Sequence, residues 1–280
     1  MRFIMTTQSA DRTGIVAALT KCLAENDGFI NELQQFGTPS SERFYSRIQF
    51  TIDDDGLTAL QKDLTVVCEE YSLNTKIIPV GQKTKTALLV SKFDHCLNDL
   101  FYRHRAGMLN IDIVAVISNH DVARAATQAA GLPFYYVPIS KETKTEAEEK
   151  QRMIIKDANA ELIVLARYMQ VLSNSMCTDY FGRIINIHHS FLPSFKGAKP
   201  YHRAYDRGVK LIGATAHYVT TDLDEGPIIE QSVQRVDHTM TPDALVATGR
   251  DVEAQTLARV VKLHCEHPVF INGAKTVILP

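Results

Sequence analysis

The sequence predicts an α/β protein in two parts, a small βαββαβ domain followed by a larger domain with a mostly parallel sheet. Three observations predict it. Over the first 80 or so residues, two helix-like patterns are set among four strand-like segments in the order β-α-β-β-α-β, the split βαβ arrangement. From residue 86 onward, apolar strands alternate with helical stretches, which implies a sheet covered on both faces. The polar stretch 81–86 reads as a linker, so the domains are taken as 1–81 and 82–280.

Residues 1–7 read as a strand. Asp11-Arg12-Thr13-Gly14 then turns into a helix with Ile15, Leu19 and Leu23 on one face, and Gly28 ends it. Residues 29–36 and 44–52 follow as strands; in the second, Phe44, Ser46, Ile48, Phe50 and Ile52 repeat with a period near two. Asp53-Asp54-Asp55-Gly56 is expected to be a sharp turn, with the glycine at positive φ. A second amphipathic helix over 57–70 and a strand over 74–80 complete the first domain.

In the second domain, strands are expected at 87–90, 111–117, 134–137, 162–166 and 183–188. Helices are expected between them at 94–106, at 122–130 closed by Gly131, and at 145–158. The last has early glutamates and a later Lys150 and Arg152, an order that suits the helix dipole. Two more strands, 212–219 and 227–236, flank a loop at 220–226, and 242–263 is a long helix. Ligands of such sheets sit beyond the carboxyl ends of the strands.

Composition narrows the classes. The chain has 280 residues, 45% hydrophobic and 22% charged, an ordinary globular balance. A net charge of -2 and a pI of about 6.6 predict no grip on nucleic acid or on an anionic membrane. The N-terminus has no apolar stretch of signal-peptide length and the longest apolar runs are too short to span a bilayer, so a cytoplasmic protein is expected. Five scattered cysteines argue for a reducing compartment. His264-Cys265-Glu266-His267 is the one run of metal-ligand type; without a second cluster it reads as a helix end and turn, and no metal is expected.

The chemistry concentrates in Asn186-Ile187-His188-His189-Ser190-Phe191-Leu192-Pro193-Ser194-Phe195-Lys196-Gly197. An apolar strand runs into it, and Asn186 and His188, two apart, share a face. Downstream lies the acidic loop Asp222-Leu223-Asp224-Glu225-Gly226-Pro227. A carboxylate brought to an imidazole fixes its tautomer, and an amide can donate to a developing oxyanion. Asn, His and Asp together could serve acyl or formyl transfer. On residue types alone, a structural histidine and a solvated turn are the commoner readings.

The segment resembles the Asn-x-His signature of the 10-formyltetrahydrofolate-dependent formyltransferases, and its spacing to Gly213-Ala214-Thr215-Ala216-His217-Tyr218 and to Asp224 is similar to theirs. The resemblance covers about 86–280 and implies a Rossmann-like formyltransferase domain. It places the catalytic roles on Asn186, His188 and Asp224 and a further family histidine on His217. Pterin binding falls on the backbone of Tyr168, Met169, Gln170, Val171 and Leu172 and on the loop Thr221, Asp222, Leu223, Asp224.

The first domain resembles the ACT module, ferredoxin-like in fold, with Asp11-Arg12-Thr13-Gly14 as its first turn. That likeness implies an amino-acid effector, glycine or methionine, and a homodimer or homotetramer. The combination resembles the water-using, deformylase branch. It implies hydrolysis of 10-formyltetrahydrofolate as substrate, with no permanently bound cofactor, yielding formate for purine synthesis and balancing the one-carbon folate pool. Ser91-Lys92-Phe93-Asp94-His95-Cys96-Leu97 supports that branch, since it has no glycine to cradle a phosphate. The block 197–208 also resembles the deformylase version. Transfer to an amine acceptor, a non-catalytic folate or amino-acid sensor, and a metal-dependent hydrolase stand as alternatives.

Overall fold

The computed structural model describes residues 1–38, 42–192 and 200–279. It divides into two units: Met1–Gln82 with Glu266–Asn272 and Val277–Pro280, and Lys83–Cys265 with Gly273–Thr276.

The first unit contains β1 (Arg2–Ala10), α1 (Ile15–Glu25), β2 (Phe29–Thr38), β3 (Arg43–Thr51), α2 (Asp54–Tyr71) and β4 (Asn74–Pro79). Its strands lie in the order β2-β3-β1-β4 and every pair is antiparallel, the ferredoxin-like arrangement. The period of two sets the core. Phe3 and Met5 face Phe50 and Ile48 across the β1–β3 pair, and Leu19, Leu23, Leu60 and Leu64 of the helices close over them.

The other face of β3 is buried too. Tyr45 packs on Phe270 with ring centroids 5.4 Å apart, and on Leu279. Arg47 Nε donates to the Glu266 carbonyl at 3.4 Å. The C-terminal residues, expected to stay with 82–280, therefore return to cover the apolar outer face of the first sheet.

The turn expected at 53–56 is instead a helix start. Asp53 caps α2, its carboxylate accepting the Gly56 N–H at 2.8 Å. Gly56 has no positive φ; its place is tight, since a Cβ there meets the Asn26 carbonyl at 2.9 Å.

The second unit begins with β5 (Thr84–Val90), α3 (His95–Arg105), β6 (Ile111–Ser118), α4 (Arg124–Ala129), β7 (Phe134–Tyr136) and α5 (Lys144–Asp157). It continues with β8 (Leu162–Leu165), α6 (Asn174–Asp179), β9 (Ile184–His188), α7 (Pro200–Arg207), β10 (Leu211–Tyr218), β11 (Ile228–Arg235) and α8 (Pro242–Cys265). The chain closes with β12 (Val269–Asn272) and β13 (Lys275–Ile278). The seven-stranded sheet has the order β11-β10-β9-β8-β5-β6-β7. Strands β7, β6, β5, β8 and β9 are parallel, while β10 and β11 are antiparallel additions at one edge. The chain moves outward from β5 first one way and then the other, so a switch point opens between β5 and β8, where a ligand crevice forms.

Two further differences from the sequence reading have local causes. Residues 84–86, taken as linker, are the first part of β5; alternating Thr and Lys hid a strand whose Thr86 is buried. The short α6 starts at Ser173, whose hydroxyl accepts the Met176 N–H at 3.1 Å. Helix α8 runs on to Cys265, and His267 adopts a φ of 60°, so the 264–267 run is a helix end and turn, as the sequence reading has it. Among the described residues no helix is long and apolar enough to cross a membrane.

Candidate active site

The site grows from strand register. In the β9–β10 pair Asn186 stands opposite His217 and His188 opposite Thr215. A register shift at Ala216/His217 in the β10–β11 pair marks the bulge that re-aims His217. Asn186 Nδ2 lies 3.2 Å from His217 Nε2, and His217 Nδ1 lies 2.9 Å from the Tyr218 carbonyl. A carbonyl only accepts, so Nδ1 carries a proton, and in the neutral ring Nε2 accepts the Asn186 amide N–H.

The β10–β11 loop brings the carboxylate. Asp224 Oδ2 lies 3.2 Å from His188 Nδ1, and Oδ1 lies 3.7 Å from His217 Nε2. Asp224 holds a φ of 57°, a left-handed backbone that an aspartate tolerates better than most residues. Gly226 makes the return possible. A Cβ there falls 1.7 Å from the Tyr218 carbonyl oxygen, and the Tyr218 N–H donates to the Pro227 carbonyl at 2.9 Å. The carbonyl that fixes the His217 tautomer is thus the one against which Gly226 packs.

Burial raises the Asp224 carboxyl, but the bond from His188 and the nearness of the His217 ring outweigh it and hold the group below the usual carboxylate range. The site therefore has an ionised carboxylate under two imidazoles. His188 is 6% exposed, and its Nε2 is buried with no hydrogen-bond partner among the described residues. A buried ring nitrogen without a protein partner is uncommon, and its lone pair is open to a water or a ligand.

A second polar cluster lies in the same unit and was not foreseen from sequence. Glu253 of α8 is 1% exposed, and its carboxylate is bonded by His95 at 2.9 Å and by the Tyr201 hydroxyl at 2.6 Å. Arg167 Nε lies 3.2 Å from it, on a backbone with φ 63°. Gly249 leaves room for the Tyr201 ring, which a Cβ meets at 2.1 Å. Burial raises the Glu253 carboxyl, yet these partners bring it below its ordinary value. Among the described residues His95, Cys96 and Glu253 are the group whose atoms could ligate a metal. The carboxylate is already saturated and Arg167 places a cation against it, while burial keeps Cys96 a thiol. These residues fit a structural ion-pair network better than a metal.

His189, also unforeseen, lies beside the first cluster. Its ring centroid is 5.1 Å from that of His188, tilted by 34°. Burial, Arg167 and His188 push its pKa down to about 4, against smaller opposite effects of Glu253 and Asp224. The signal for it was its place in the motif beside His188.

The remaining sequence-derived candidates divide. Met169, Val171 and Leu223 expose 52%, 54% and 63% of their surface, and Thr221 and Asp222 are exposed too. The peptide groups of Gln170, Val171 and Leu172 make no hydrogen bond to another described residue, while the Met169 N–H donates to Ser91 Oγ at 2.9 Å. Leu172 and His217 are interior at 8% and 2% exposure. His217 reaches the site through Asn186 and Asp224 rather than through a surface. Pro193-Ser194-Phe195-Lys196-Gly197 and the start of the 197–208 block lie outside the described residues.

In the first unit, Gly14 adopts φ 100° at the start of α1. Arg12 stacks 4.8 Å from the Tyr71 ring and donates to the Glu70 carbonyl at 3.2 Å. A groove of about 650 Å³ between α1 and α2 is lined by Gly14 together with Ala17, Lys21, Val67 and Tyr71. Asp11, Arg12 and Thr13 do not line it.

The sheet that carries Asn186 and His188 is that of a formyl-group enzyme: residues 84–261 match the formyl transferase family model. The formyltetrahydrofolate deformylase of Corynebacterium sp. (strain P-1) is 48% identical over 100% of this chain and 98% of that protein. The crystal structure of the Burkholderia mallei formyltetrahydrofolate deformylase superposes with a TM-score of 0.96 at 46% identity, covering 100% and 99% of the two chains. A glycinamide ribonucleotide transformylase from Symbiobacterium toebii matches 71% of this chain and 95% of its own at TM-score 0.66 and 27% identity. The chain belongs to the formyltetrahydrofolate deformylases.

Proposed function

We propose that this chain hydrolyses 10-formyltetrahydrofolate to formate and tetrahydrofolate, with His188 as the proton carrier. The observation that carries the mechanism is the buried, unpartnered Nε2 of a ring whose Nδ1 faces Asp224. With Nδ1–H turned to the carboxylate, Nε2 offers its lone pair. A water against it loses a proton to Nε2 as its oxygen bonds the formyl carbon, and the carbonyl electron pair moves onto oxygen. The free N–H of the Asn186 amide stabilises that oxyanion together with the His188 imidazolium; one such donor is typically worth about 2.7–4 kcal/mol of barrier. Asp224 favours the imidazolium and, by fixing the ring, sets where the water stands. His188 then returns the proton to the folate nitrogen as the carbon–nitrogen bond breaks. Formic acid leaves and ionises to solvent.

The exposed side chains of Met169, Val171 and Leu223 and the unbonded peptide edge 170–172 suit a flat pterin that needs apolar faces and backbone partners. No resident cofactor enters these steps. The first unit is assigned an amino-acid effector, glycine or methionine, at the Asp11–Gly14 turn. It is also assigned homodimer or homotetramer formation, supported by the edge strand β2 with its exposed Phe29 and Phe36. Calorimetry with each amino acid and sedimentation of the protein check these two points.

The test of the reaction uses purified protein and 10-formyltetrahydrofolate alone. Formate and tetrahydrofolate in equal amounts, with His188→Ala inactive, is the expected result. Turnover only after an amine acceptor is added makes the chain a transferase.

A further inference from the structure

We infer that His189 is a second catalytic imidazole, which holds the attacking water against His188 and so makes water the acceptor of the formyl group. The inference rests on the reading of His188 as the proton carrier.

Three observations carry it. First, the two rings lie 5.1 Å apart by centroid and are tilted by only 34°, although consecutive strand residues point to opposite faces. Strand β9 ends at His188, and the chain leaves it so that both rings come to the same side. Rings that share a side can present a nitrogen each to the same water. Second, His189 is half-buried, yet neither ring nitrogen bonds to a described residue. Its neighbours Asn186, His188 and His217 all have protein partners. Third, burial first, and then the Arg167 cation held 3.2 Å from Glu253, oppose a positive charge on His189. The ring stays neutral, with one N–H and one lone pair.

A water needs more than one hold. One O–H points to His188 Nε2 and is the proton that leaves. The other, donated to the lone pair of His189, turns the oxygen's own lone pair toward the formyl carbon. Both oxygens of Asp224 already face imidazoles, at 3.2 and 3.7 Å, so the carboxylate acts on the water through the rings. A stronger nucleophile needs less of this orientation than water does, which separates the proposed role from a structural one.

The experiment compares enzyme-dependent formate release with enzyme-dependent formylhydroxamate formation when hydroxylamine is added, in parent, His189→Leu, His189→Gln and His188→Ala. In His189→Leu, kcat for formate should fall about 100-fold with KM within about twofold of the parent. Hydroxamate formation should fall less than about tenfold, and His189→Gln, with an amide oxygen as acceptor, should recover at least about tenfold of the loss. A parallel fall of both products, a change in KM alone, or a parent-like formate rate overturns the inference. If His189→Leu does not fold, His189→Ala with added imidazole replaces it. Recovery of formate release supports the role and its lack refutes it. A fully active His188→Ala overturns the reading of His188 itself, whatever His189 does.

Discussion

Replacing Gly226 by alanine tests how the carboxylate is delivered to the histidines. The new Cβ falls 1.7 Å from the Tyr218 carbonyl oxygen and 2.9 Å from its carbon, both backbone atoms that cannot swing away. Reaching even 3.0 Å needs a displacement of about 1.3 Å between the loop and β10, beyond what packed interiors absorb. That shift stretches two bonds that meet at Tyr218, the N–H to Pro227 and the carbonyl accepting His217 Nδ1, each 2.9 Å long. At about 0.5–1.5 kcal/mol net for each, stability falls by about 1–3 kcal/mol. Asp224 stands two residues before Gly226, and a misplacement of about 1 Å costs roughly 100-fold in rate. Formate release should therefore drop about 100-fold while the melting temperature falls about 2–4 °C per kcal/mol lost. Gly208→Ala is the control: it has φ 65° and open space around it, so it should cost about 1–2 kcal/mol and leave turnover unchanged. Parent-like turnover in Gly226→Ala refutes the claim that this close approach positions Asp224.

Other outcomes follow from the same geometry. Asp224→Asn should lower turnover by about 10²–10⁴-fold in a folded protein, because a carboxamide does not favour the His188 imidazolium; steady-state formate release and circular dichroism check both halves. Tyr201→Phe removes the donor to Glu253 and should cost about 1–3 kcal/mol, read as a lower urea midpoint at unchanged slope. The folded Asp224 carboxyl lies below its unfolded value of about 3.9, so its stabilisation is present above that pH and is lost as pH falls through the folded value. Acid unfolding of Asp224→Asn should lack this part of the slope. His189 behaves similarly in a higher window: with a folded pKa of about 4 against about 6.5 unfolded, the unfolded chain takes the proton first. Stability then declines as pH falls from about 6.5 to about 4, by at most about 3.4 kcal/mol, and His189→Leu should flatten that decline in urea titrations.

The parts of the fold that announce themselves in sequence are those whose burial is one-sided or complete. Leu162–Leu165 and Ile184 with Ile185 are wholly buried strands and read as apolar runs. Strand β3 gave its inward face through Phe44, Ile48 and Phe50, but its outward Tyr45 could not be interpreted without knowing that Phe270 returns to it. Strand β5 began unseen because threonine and lysine at 84–86 look like linker. Local capping decided Asp53–Gly56, where a hydrogen bond from Gly56 to a side chain turned an apparent turn into the first turn of α2.

The candidate site divides along the same physical line. Asn186 and His188 were legible because a period-two spacing on one strand needs no tertiary information. That His217 belongs with them depends on which residue of β10 lies opposite Asn186, a matter of register between strands 31 positions apart in sequence. The Glu253 cluster gathers residues from α3, the segment after β8, α7 and α8, each unremarkable in its own stretch. A carboxylate at 1% exposure must find such partners, since removing one leaves a buried group uncompensated. Arg167 bears on both clusters: it balances Glu253 on one side and on the other adds to burial in disfavouring a proton on His189. Replacing Glu253 therefore does more than loosen α8. It frees a cation that adds to burial in disfavouring a proton on the ring beside His188, and so changes the field at that ring as well.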